Sequence, residues 1–91
     1  MIKSKYDLIK KLKKNVDCVV FKTIINDERE DYNIGIERKC NHIQSNALTL
    51  NNPDGKKSWI YFDDIDVKDN LLKFKNFNII IELKENVRWK Y

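Results

Sequence analysis

The sequence is poor in the residues that break or staple a chain: one proline (Pro53), two glycines (Gly35, Gly55), two cysteines (Cys18, Cys40) and one histidine (His42) among 91 positions. No Gly-, Ser- or Pro-rich tract interrupts it, and 42% hydrophobic with 11% aromatic residues excludes a disordered chain. Two cysteines are too few to staple a small secreted domain, and charges stand near the N-terminus where a signal peptide needs an apolar core. The expected compartment is a reducing cytosol. No apolar run approaches the roughly 18 residues that span a bilayer, so no membrane partner is expected. A chain of this length is read as a single domain, 1–91. It buries only about 60–65% of its unfolded surface, which leaves little room for a deep cleft.

Lysine, asparagine and isoleucine fill 38 positions while alanine occurs once, at Ala47, a bias that points to an A+T-rich gene. The net charge of +4 is unevenly placed. Residues 1–14 hold six lysines against one aspartate, a local +5, and the other 77 residues net −1. One terminal element therefore carries the positive excess and is the clearest pointer to a partner.

Ser4 followed by Asp7 predicts a helix N-cap with an acidic residue near the positive helix end. The helix runs to about Lys14. Ile2, Tyr6, Leu8, Ile9, Leu12 and Val16 fall within an arc of about 160°, with Lys3, Lys10, Lys11 and Lys14 opposite. The β-branched run 16–25 suits a central strand, and 26–31 (NDERED) a charged loop. Segment 32–40 alternates Tyr32, Ile34 and Ile36 against Asn33, Glu37 and Lys39, and 42–50 is a further candidate strand. The turn Asn51-Asn52-Pro53-Asp54-Gly55 leads into an aromatic strand at 58–63. Short arms at 65–68 and 71–74 meet at Asp69-Asn70, and 77–83 points Phe77, Ile79, Ile81 and Leu83 inward. The expectation is an α+β domain: an N-terminal helix packed on a curled antiparallel sheet or small barrel of five to six strands.

Clustered lysines can grip phosphate by displacing its counterions, or stand as a solvated helix face. Aromatics interleaved with basic residues at 56–62, 74–77 and 88–91 fit a platform on which unpaired bases stack. A small domain also needs aromatics for its core, so Trp59, Phe62, Phe74 and Phe77 are assigned to the core. Arg88, Trp89, Lys90 and Tyr91 are taken as contacts. The candidate partner-binding residues are thus Lys3, Lys10, Lys11, Lys14, Arg88, Trp89, Lys90 and Tyr91.

Cys40 and His42, two apart on a strand, would share a face. With Cys18 they make three ligands where structural zinc wants four, and no second histidine completes a nucleophile–base set. Pro53-Asp54 with Glu82-Leu83-Lys84 matches the bare PD-(D/E)xK nuclease spelling, and Asp63, Asp64, Asp66 and Asp69 are a possible magnesium cluster. Turn chemistry and solvated loops account for both, so the expectation is a non-enzyme with no cofactor and no metal.

Arg38-Lys39, Gln44-Ser45-Asn46-Ala47, Gly55, Ser58-Trp59 and Phe62, about a quarter of the chain, resemble a pattern in short accessory proteins of phages and mobile elements from low-GC Gram-positive bacteria. The resemblance implies an anti-CRISPR-like inhibitor of a host defence complex, its partner a host protein or ribonucleoprotein. The chain is basic, so acidic mimicry of DNA is not available to it. The alternative is a small nucleic-acid-binding or regulatory protein that uses the basic helix and C-terminal aromatics directly.

Overall fold

The computed structural model describes residues 1–26 and 34–86. Ser4, in extended conformation, caps helix α1 (Lys5–Lys14): its hydroxyl accepts from the Asp7 N–H at 3.1 Å, and the Asp7 carboxylate accepts from the Lys3 N–H. One amide that the first turn leaves without an intrahelical partner is satisfied in this way. At the other end the Asn15 N–H donates to the Lys11 carbonyl while the Asn15 side chain accepts from the Asp17 N–H. A 3₁₀ turn over Val16–Cys18 follows, so the apolar run enters the sheet at Val19 rather than Val16.

The sheet has seven antiparallel strands: β1 (Val19–Asn26), β2 (Glu37–Ile43), β3 (Ala47–Asn51), β4 (Lys57–Tyr61), β5 (Ile65–Lys68), β6 (Leu71–Phe74) and β7 (Ile79–Glu85), in the order β4-β3-β2-β1-β7-β6-β5. The expected α+β layout of an N-terminal helix on a curled antiparallel sheet is present, and the count of five to six strands is corrected to seven. Residues 65–68 and 71–74 pair as full strands because Asp69 (φ 48°) and Asn70 (φ 68°) both take the left-handed conformation of a two-residue hairpin turn. The boundary drawn after Cys40 also moves. Pairing continues to Ile43, and residues 44–46 make the turn, closed by the Gln44 N–H on the Ala47 carbonyl.

Strand β1 pairs with β2 on one side and β7 on the other, so the meander β1–β4 and the hairpin-plus-strand β5–β7 are joined along one seam. Alternate residues of every strand point into the curl, where Leu8 and Leu12 of α1 and Ile2 before it complete a single core cluster. Burial of Leu8, Leu12 and Ile2 is complete, whereas Tyr6 is 74% exposed and does not join the core. It sits at the rim of the predicted apolar arc, beyond the reach of the sheet beneath. Two backbone acceptors take the remaining tether: Lys5 Nζ donates to the carbonyls of Phe62 (2.8 Å) and Ile65 (3.1 Å), flanking a 3₁₀ turn at Phe62–Asp64. Among the described residues no helix is long and apolar enough to cross a membrane.

Candidate functional site

Two surfaces carry cations, one on each side of the molecule. The first is the outer side of α1. Lys3, Lys10 and Lys14 are exposed there as expected, but Lys11 is not a free contact. Its ammonium lies 3.4 Å from Asp7 Oδ1 and 3.3 Å from Glu85 Oε1, and Glu85 Oε2 also accepts from the Met1 α-amino group at 3.1 Å. The Glu85 hydrogen bond holds the Lys11 pKa above its ordinary value. The Met1 ammonium, then Lys11, hold Glu85 below its own, and the Lys3 N–H chiefly lowers Asp7. This network stitches the helix to β7. Lys13, at the edge of the apolar arc, is exposed and joins Lys3, Lys10 and Lys14 as a cation open to contact. Tyr6, Lys10 and Lys13 follow one another at spacings of four and three, so an exposed ring stands among lysines on one helical stripe. Sequence reasoning missed Lys13 and Tyr6 because both lie at the edge of the arc, where angle alone does not decide burial.

The second surface is the outer face of the sheet. On β4, Lys57, Trp59 and Tyr61 point outward while Ser58 and Ile60 are buried. The Trp59 and Tyr61 rings stack with centroids 6.1 Å apart and planes at 18°. Trp59 is 45% exposed, so its assignment to the core is corrected, and Phe77 is 40% exposed because it precedes β7 rather than belonging to it. Phe62 and Phe74 are core residues as expected, and Phe77 meets Phe74 edge-on. The period-2 spelling of Lys57-Ser58-Trp59-Ile60-Tyr61 already placed both rings on one face opposite Ser58 and Ile60. Which face the core would take was the missing information. Further along the same face run Lys39 of β2, Val20 of β1 and Lys84 of β7 in one cross-strand row, and Glu37, Lys22 and Glu82 in the next.

Arg88, Trp89, Lys90 and Tyr91 lie outside the described residues, as do positions 27–31 of the acidic loop. The Cys40–His42 pair is not on one face. Cys40 pairs with Leu50 and His42 with Thr49, so Asn41 is an extra residue, a bulge that turns His42 to solvent while Cys40 stays buried. Burial pushes the Cys40 thiol up to about 11 and raises Cys18 as well, so both are poor thiolates at neutral pH. Cys18 borders a surface groove of about 350 Å³ with Lys11, Lys14 and Asn86, and its thiol donates to the Lys11 carbonyl. Asp54 sits in the exposed β3–β4 turn and Glu82 and Lys84 on β7, four strands along the sheet from β4, so the nuclease spelling is not assembled in space. Among the described residues no three His, Cys, Asp or Glu side chains are grouped to hold a metal.

Of the residues that carry the phage-protein resemblance, Arg38, Ala47, Ser58 and Phe62 are buried and 44–46 and Gly55 make turns. Only Lys39 and Trp59 reach the outer sheet face. No protein-family model, curated protein or solved structure matches the chain.

Proposed function

We propose that this protein is a non-enzymatic binding protein, carried by a phage or mobile element, that docks its basic helix on the polyanionic surface of a host nucleic-acid-processing complex. Its most specific form is an anti-CRISPR-like inhibitor that occupies a defence ribonucleoprotein. The supporting observation is the exposed lysine set Lys10, Lys13 and Lys14 on α1 with Lys3 just before its cap, carried by a helix that is held on the sheet by Leu8, Leu12, Lys5 and Lys11. A row of cations on an already folded helix steers association and meets phosphate or carboxylate without the cost of ordering the backbone. The host and defence element of this reading rests on the resemblance and on the codon bias.

The structure changes which variant tests it. Lys11→Glu would set a carboxylate against Asp7 and Glu85 and perturb the fold, so the set is Lys3→Glu, Lys10→Glu, Lys13→Glu and Lys14→Glu. These positions face water, and circular dichroism and urea stability should stay near those of the parent. Binding to purified defence ribonucleoproteins should fall by at least tenfold and lose most of its salt dependence. Undiminished binding would reduce the stripe to a solvated face.

A further inference from the structure

The stacked Trp59 and Tyr61 stand at one end of a cationic track across the outer sheet face, and we infer that this track binds single-stranded nucleic acid. The cross-strand neighbours of the rings are the small residues Thr49 and Ala47, which are buried to 5% and 0% exposure while the rings keep 45% and 46%. An aromatic surface exposed to this extent is what an unpaired base stacks on, and stacking accepts any base because each has a π-face. A duplex, whose bases already stack on one another, offers that surface nothing.

The groups needed for the backbone follow in order. Lys57 shares the outer side of β4 with the rings. His42 comes next, on β2 opposite Thr49, turned outward by the Asn41 bulge. Lys39 then forms a row with Val20 and Lys84 that contains no acid, whereas the acids Glu37 and Glu82 of the neighbouring row both flank Lys22. Among the described residues Lys57, Lys39 and Lys84 make no ion pair, so their charge is complementary to phosphate. Neighbouring strands are about 4.8 Å apart, so the four steps from β4 to β7 span roughly 19 Å, room for a few nucleotides with bases at the rings and phosphates at the lysines. The inference concerns the side of the molecule opposite the lysine stripe and does not depend on what the helix docks against.

A Trp89→Phe background leaves Trp59 as the one tryptophan, so quenching of its fluorescence by a short oligothymidylate reads stacking at this site. Saturable quenching is expected at low salt. In the same background, labelled oligothymidylate should bind about tenfold more weakly to Trp59→Leu, which keeps an apolar side chain beside Thr49, and within about threefold of parent to Trp59→Phe. Should Trp59→Leu fail to fold by circular dichroism, Tyr61→Leu against Tyr61→Phe makes the same comparison. Lys39→Gln with Lys84→Gln should reduce the slope of log affinity on log salt by about 1.4. Quenching should persist when Lys3, Lys10, Lys13 and Lys14 are changed to glutamine. The inference is overturned if there is no saturable quench, as for a face built for a protein, if Leu and Phe variants bind alike, if a duplex hairpin binds as tightly, or if the glutamine variant abolishes the quench.

Discussion

Arg38 shows how a single residue can reverse its apparent role. It lies in a basic pair with Lys39, yet its side chain is 4% exposed, because the parity that points Cys40 inward points Arg38 inward too. There its Nε donates to Asn52 Oδ1 at 2.5 Å and a terminal nitrogen to Thr23 Oγ1, while Asn52 donates onward to Ser58 Oγ. A guanidinium taken out of water is tolerated when its donors are satisfied, and its removal strands Asn52 Oδ1 and the buried Thr23 Oγ1 together. Arg38→Ala should lower stability by about 2–3 kcal/mol in urea unfolding, more than any exposed lysine substitution. Glu85 is the second informative residue. Its pKa and that of Asp7 are depressed from ordinary values of 4.5 and 3.8, so the native state binds protons less readily than the unfolded chain. Their contribution is complete above those values and fades as pH falls through the lower native ones. Lys11, raised, acts at the other extreme: its contribution holds below 10.5 and fades as pH climbs past its native value. Glu85→Gln should therefore flatten the decline of the urea midpoint between about pH 5 and pH 3 while leaving the remainder of the profile in place.

At the level of elements, the hairpin turn between β5 and β6 does more than reverse the chain. Asn70 receives the Ile2 N–H on its side-chain oxygen at 2.6 Å, donates its own N–H to the Ile2 carbonyl at 2.8 Å, and accepts from the Leu83 N–H at 2.7 Å. A single residue in the left-handed conformation thus joins the segment before α1 to the β5–β6 hairpin and β7. Asn tolerates φ > 0 and supplies the oxygen; Gly supplies only the first, Ala neither. Asn70→Gly should cost about 1 kcal/mol and Asn70→Ala about 2–3, a ranking that thermal unfolding can read. Gly55, with φ of 87°, closes the β3–β4 turn, its N–H donating to the Asn52 carbonyl, which accounts for the glycine in that turn.

For the whole molecule the seam between β1 and β7 decides cooperativity. It unites strands more than fifty residues apart, and β7 brings Ile79, Ile81 and Leu83 to the core in the same register that places Lys84 and Glu82 outside. Without it, β5 and β6 have no partner sheet and the helix loses the Glu85 contact. A chain ending at Asn78 should show no cooperative urea transition, because β1, central in the whole sheet, would be left with one hydrogen-bonding edge unmet. Placing the helix inside the curl also separates the two cationic surfaces. The lysine stripe and the Trp59–Tyr61 pair face away from each other, so substitutions on one should combine additively with those on the other in stability measurements.

Much of the fold was legible because local chemistry forces it. The Ser4 cap, the Asp69-Asn70 turn, the Pro53–Gly55 turn and the inward phase of Ile79, Ile81 and Leu83 all follow from hydrogen-bonding capacity, allowed φ and period, none of which needs a distant partner. The extent of the lysine face was only half legible. A helical wheel assigns an angle to Tyr6, Lys11 and Lys13, but whether that angle meets a sheet, a carboxylate on β7 or water depends on how far the sheet curls beneath the helix. The second surface was hidden for a related reason: alternation puts Trp59 and Tyr61 together, and only the packing of Ser58 and Ile60 against the core says that the rings are the outer set. Local geometry is written in neighbouring residues, whereas exposure is a property of what folds over them.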